Sequence, residues 1–154
     1  YQDIEMEDLI PFKQLIDFGI TGMMAAHVIY PNVDNHPAGF SSYWLKTILR
    51  SELGFEGCIF SDDLSMKGTE GYGNIVDRAR ISLEAGCDMV LVCNDSLSCD
   101  LLLDKLKWET SAINLARLAR MRGRCHASSL IKLHEEASFV QRLAGKASRT
   151  EEAV

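Results

Sequence analysis

The chain has 154 residues, of which 47% are hydrophobic and 25% charged, enough to build a core and too apolar for an unstructured polymer. A formal net charge of −6 argues against a phosphate-backbone partner, so no nucleic acid is expected. No apolar run approaches the roughly 18 residues that a membrane span needs, so no membrane partner is expected either.

Periodicity predicts alternating helices and strands. Asp8–Phe18 has apolar residues at helical spacing, with Pro11 early and Gly19 as a stop. Ile20–Val28 reads as a buried strand interrupted by His27, and a loop with Pro31, Asn32, Asn35, Pro37 and Gly39 follows. Ser41 or Ser42 caps a helix running through Tyr43, Trp44, Leu45, Ile48 and Leu49 to the Leu53-Gly54 stop. Next come a strand over Gly57–Ser61, a loop with Gly68, Gly71 and Gly73, and a helix over Asn74–Ala85 closed by Gly86. Asp88–Cys93 is a continuous apolar strand, followed by helices near Leu97–Trp108 and Ala112–Arg122. Leu130–Leu143 reads as helical and Lys146–Val154 as a frayed tail.

Apolar strands separated by amphipathic helices mean parallel strands buried on both faces. Right-handed crossovers then bring every strand C-terminus to one rim, where His27–Tyr30, Asp62 with Asp63, and Cys93 with Asn94 converge. The most informative stretch is Gly54–Gly68, because the run Cys58–Phe60 ends abruptly in Ser61, Asp62 and Asp63. Adjacent carboxylates at the end of a buried strand are costly to desolvate, which points to chemistry. A cap by Asp63 on the turn through Leu64–Met66 is the structural alternative, and one Asp of the pair is expected to be structural.

The five cysteines form no Cys-x-x-Cys pair, which suits a reduced, cytoplasmic protein and gives no zinc spacing. The acidic N-terminus lacks the layout of a signal peptide, and a start without methionine suggests a piece of something longer. Arg117, Arg120, Arg122 and Arg124 are read as a solvated helix face.

Several ordered blocks look familiar. Met24-Ala-Ala-His-Val-Ile-Tyr-Pro31, Pro37-Ala-Gly-Phe-Ser41, Leu49-Arg-Ser-Glu-Leu-Gly-Phe55, Phe60-Ser-Asp-Asp-Leu-Ser-Met66 and Ala85-Gly-Cys-Asp-Met-Val-Leu-Val-Cys-Asn94 together resemble bacterial β-N-acetylhexosaminidases of glycoside hydrolase family 3. The resemblance covers about Asp8–Leu106 and fades in the C-terminal third. It implies a (β/α)8 TIM barrel that removes N-acetylglucosamine from muropeptides in the cytoplasm by double displacement, with no cofactor. It also implies that Asp62 is the nucleophile and must stay ionised, held by hydrogen-bond donors. Asp63 is expected to bond loop amides and His27 to reach substrate or sit satisfied on the rim; Met66 packs beside the sugar or beneath the loop, the core role being favoured. His36, His126 and His134 read as surface residues.

The family's Lys-His-Phe-Pro-Gly-His-Gly-type segment and its Asp-His acid/base loop have no counterpart here. The expected fold is therefore α/β: the C-terminal portion of a TIM barrel, with three parallel strands, flanking helices and further C-terminal helices. Residues 1–125 would be the partial catalytic domain and residues 126–154 a helical extension. Open sheet edges predict self-association or pairing with the missing N-terminal part, and negligible activity alone. Alternatives are a non-catalytic assembly or binding module and a β-glucosidase-like relative, the latter disfavoured because those enzymes commonly carry Trp where Asp63 stands. A flavin or sugar-phosphate barrel would need a phosphate-gripping loop, and Cys93-Asn-Asp-Ser-Leu97 contains no glycine.

Overall fold

The computed structural model describes residues 7–123 and Lys132. The chain divides into two units, Tyr1–Met121 and Arg122–Val154, and every element below lies in the first. The helix expected over Leu130–Leu143 (Lys132 aside), the tail, His126, His134 and the domain boundary after Cys125 fall outside the described residues.

Helix α1 (Ile10–Asp17) carries Pro11 in its first turn, where the missing N–H breaks no helical bond. Gly19, at φ +87°, ends it by donating to the Ile16 carbonyl at 2.8 Å. Strand β1 (Gly22–Ala25) is shorter than the expected Ile20–Val28. Where the sequence suggested only a loop, the chain forms an antiparallel ribbon of β2 (Ile29–Tyr30) and β3 (Asp34–Pro37). Strand β3 reads Asp-Asn-His-Pro and has no apolar alternation, so its pairing rests on backbone bonds and on Asp34, which accepts the Ser41 hydroxyl. The Ser41 Oγ also accepts the Trp44 N–H at 3.1 Å, so Ser41 and not Ser42 makes the side-chain cap of the next helix. That helix, Tyr43–Glu52, has π-type hydrogen bonding and buries Trp44, Leu45, Ile48 and Leu49.

Strand β4 (Cys58–Asp63) is the middle of a parallel sheet ordered β1–β4–β5, with β5 at Met89–Leu91. A short 3-10 helix, Lys67–Tyr72, occupies most of the glycine-rich stretch. Helix α2 (Ile75–Ala85) opens with a reciprocal capping box between Asn74 and Asp77, and α3 (Ser96–Lys105) and α4 (Ala112–Arg120) follow. The expected order of parallel strands and helices is therefore present.

The core lies between one sheet face and the helices. Ile59 packs with Leu45, Leu49, Phe55, Ala85 and Cys87, and a second cluster joins Phe40, Leu64, Ile75, Ala79 and Leu102. Gly57 sits where a Cβ would fall 2.5 Å from the Phe55 ring and 2.6 Å from the Thr21 carbonyl oxygen. On the other face Met24 and Met89 flank Phe60 in register and stay 53% and 43% exposed. Strands β1 and β5 each have one neighbour in the described sheet, leaving both outer edges open.

Of the four arginines read as a solvated face, Arg120 and Arg122 are exposed and Arg124 lies outside the described residues, but Arg117 departs from expectation. The Arg117 side chain is only 13% exposed and turns inward, its Nη1 3.4 Å from the fully buried Asp88 carboxylate. Asp88 also accepts the Arg50 Nη2 at 2.6 Å and the Ile59 N–H at 2.8 Å, tying the π-helix, β4, β5 and α4 together. A partner 29 residues away leaves no trace in the helical spacing of the arginines.

Candidate active site

The C-terminal ends of β1, β4 and β5 lie side by side, because parallel pairing points all three strands the same way. Asp62, the penultimate residue of β4, is half-buried. Its Oδ1 accepts the Asp63 N–H at 2.8 Å, and no other donor among the described residues hydrogen-bonds this carboxylate.

Asp63 is held far more tightly. Its Oδ1 accepts the Ser65 N–H at 2.9 Å and the Cys93 N–H at 3.0 Å, and the Ser65 hydroxyl lies 2.8 Å from each carboxylate oxygen. Burial pushes the Asp63 carboxyl up, but those amides, the Ser65 hydroxyl and nearby His27 outweigh it and hold the group below the usual carboxylate range. Asp63 thus bonds loop amides, as its position in the sequence suggested.

His27 follows β1 by two residues and stacks on Phe40 with ring centroids 4.8 Å apart. Both ring nitrogens are buried, and neither makes a well-formed hydrogen bond among the described residues, although the Asp62 and Asp63 backbone lies close enough to act on the ring. Burial lowers its pKa, against the opposing pull of the Asp62 backbone carbonyl and of the Asp62 and Asp63 carboxylates. A neutral imidazole offers one donor and one acceptor. Close approach is possible because Gly39 is bare: a Cβ there would come 3.2 Å from His27 Nδ1. Met66 is 45% exposed, so it does not take the core role that the sequence favoured. His36 is exposed, as expected, with its ring 6.2 Å from that of Tyr72.

The structure brings Asp62, Asp63 and His27 together and adds Ser61, Ser65 and Cys93, none of which the sequence singled out as site residues. Ser61 and Ser65 could have been suspected from the hydroxyls flanking the acidic pair, whereas Cys93 contributes its amide, which every residue but proline has. A carboxylate with one oxygen tied and the other open, beside an imidazole, can attack an electrophilic carbon or accept a proton. Among the described residues no group of three or more His, Cys, Asp or Glu is placed to hold a metal ion, and no helix is long and apolar enough to cross a membrane.

Fold and rim together define an α/β protein with a parallel sheet and its polar groups gathered past the strand C-termini. Residues 1–122 match the glycosyl hydrolase family 3 N terminal domain, and the chain belongs to that family. It is 57% identical to a beta-hexosaminidase of Nitrosospira multiformis over 155 residues, covering 99% of this chain and 44% of that protein. A beta-hexosaminidase of Nitrosomonas eutropha is also 57% identical, over 92% of this chain and 40% of that protein. Among solved structures, NagZ from Neisseria gonorrhoeae in complex with N-trifluoroacetyl-D-glucosamine superposes with a TM-score of 0.81 at 40% identity, covering 96% of this chain and 42% of that chain. The chain thus spans less than half the length of the curated relatives it matches.

Proposed function

We propose that this chain is the nucleophile-bearing part of a retaining β-N-acetylhexosaminidase that removes terminal β-N-acetylglucosamine from peptidoglycan fragments in the cytoplasm. The Asp62 carboxylate carries the reading: it stands past the middle strand with one oxygen tied to a backbone amide and the other open. In the first step that oxygen attacks the anomeric carbon, the bond to the aglycone oxygen breaks, and a glycosyl-enzyme ester forms; water then cleaves the ester. Relatives named beta-hexosaminidase and a NagZ holding an N-acylated glucosamine support the amino-sugar substrate. His27, beside Asp62 and Asp63 at the strand ends, and exposed Met66 contact the sugar. Asp63, with both oxygens engaged, serves the sugar site as support.

The sheet is the C-terminal portion of a (β/α)8 barrel, a reading supported by its open edges, its bare Met24–Phe60–Met89 face and the relatives' greater length. The acid/base loop lies outside these residues. Residues 1–154 alone therefore lack general acid assistance worth roughly 10²–10⁴-fold, and they self-associate or pair with the N-terminal part through the exposed face.

Hydrolysis of an aryl N-acetylglucosaminide tests this. The full-length protein should turn over and lose that activity in Asp62→Ala, while the 154-residue chain stays near background. Normal turnover in full-length Asp62→Ala would refute the nucleophile; robust turnover by the short chain would refute its dependence on the missing part.

A further inference from the structure

Strands β4 and β5 fall out of step at the site. Phe60 pairs with Met89 but Asp63 pairs with Leu91, so β4 carries one residue more than β5 over the same span. An extra residue of this kind locally disrupts the ladder. Here two side chains bridge the irregularity. The Leu91 N–H donates to Ser61 Oγ at 3.0 Å, and the Cys93 N–H donates to Asp63 Oδ1 at 3.0 Å. In return the Leu64 N–H donates to the Leu91 carbonyl at 2.9 Å. Ser61 is completely buried, so its hydroxyl has no water to turn to.

We propose that Ser61 is a positioning residue for Asp62: its buried hydroxyl holds the Leu91 amide across the bulge and so fixes the direction in which Asp62 leaves the strand. The inference rests on the reading of Asp62 as nucleophile. In the Ser61-Asp62-Asp63 block the outer two side chains anchor to β5 and to the second residue beyond it, and the middle one keeps an open oxygen. Attack on the anomeric carbon depends steeply on approach, and a displacement of about 1 Å costs about 10²-fold in rate. Groups that hold the sugar elsewhere are untouched, so binding should persist.

Steady-state hydrolysis of an aryl N-acetylglucosaminide by the full-length protein provides the test, with sites counted by a fluorinated sugar that traps the glycosyl-enzyme. Ser61→Ala should lower kcat per site by about 10- to 10²-fold while KM moves less than about threefold. Amide exchange at Leu91 should quicken in the same variant. Unchanged kcat per site, or a raised KM at full kcat, would overturn the proposal. If Ser61→Ala fails to fold, Ser61→Cys carries the test, since a thiol is nearly isosteric and a weak acceptor. A loss of kcat at constant KM supports the role, and full activity overturns it. Turnover that survives Asp62→Ala would refute the nucleophile reading and the positioning role with it, whereas full activity of Ser61→Ala beside an inactive Asp62→Ala would refute the positioning role alone.

Discussion

The two ends of the parallel sheet each present an aspartate, and the two are treated in opposite ways. At the N-terminal end the Asp88 side chain is fully buried and its oxygens take two guanidinium groups and one amide. At the C-terminal end Asp62 is half-open and takes a single amide from its own neighbour. A carboxylate saturated with donors is a structural tie, because losing it strands the cations around it. A carboxylate left underbonded on a rim is available to react. Asp63 lies between these extremes, at the C-terminal end but engaged like a tie.

That contrast can be broken most sharply at Asp62. Asp62→Asn should cut turnover of the full-length protein about 10⁴-fold or more. Its unfolding free energy, read by urea titration, should change by no more than about 0.5 kcal/mol. A loss of stability like that of an Asp88 variant would erase the distinction. Asp88→Ala should behave in reverse, losing about 3–5 kcal/mol as Arg50 is left buried without its counter-charge and Arg117 keeps only Glu56, at 3.5 Å. The molecules that remain folded should keep a near-normal KM. A milder probe is the α2 cap, remote from both arginines: Asn74→Ala removes the acceptor for the Val76 and Asp77 amides and should cost about 1 kcal/mol without touching kcat.

The smallest effect expected is a pH slope from His27. Its folded pKa lies below the unfolded value of about 6.5, so the unfolded chain takes up the proton first on acidification. The associated stability is complete above about pH 6.5 and is lost as pH falls through the folded value. His27→Gln should flatten that slope in urea titrations between about pH 7 and 5. Asp63 acts in a separate window: its folded pKa is lowered, so its contribution is full above the unfolded value of about 3.9 and fades only as pH falls through the folded one. An unchanged slope in His27→Gln would mean the imidazole is not desolvated.

The strands and helices were legible because their signals are local. Cys58–Phe60 and Met89–Leu91 are short apolar runs bounded by turn residues, and α2 starts at an Asn cap and ends at Gly86. What escaped was written in contacts between distant residues. Strand β3 is polar and depends on its partner's backbone and on Ser41. Arg117 looks like surface until Asp88 is placed beneath it, and Met66 looks apolar enough for a core that the rim does not supply. At the site, the acidic pair stood out as unusual, but which carboxylate is bound and which is open depends on Ser65 and on the amide of Cys93, 30 residues beyond Asp63. The bulge itself is a difference in length between two strands, which neither strand displays alone.

Gly57 carries a consequence for anyone varying this sequence. With the Phe55 ring at 2.5 Å and the Thr21 oxygen at 2.6 Å from any added methyl, even alanine would have to push apart the turn that feeds β4. A saturation library selected for folded survivors should therefore show a single letter at this position. Shortening the Phe55 ring would relieve only one of the two clashes, because the Thr21 oxygen belongs to the backbone.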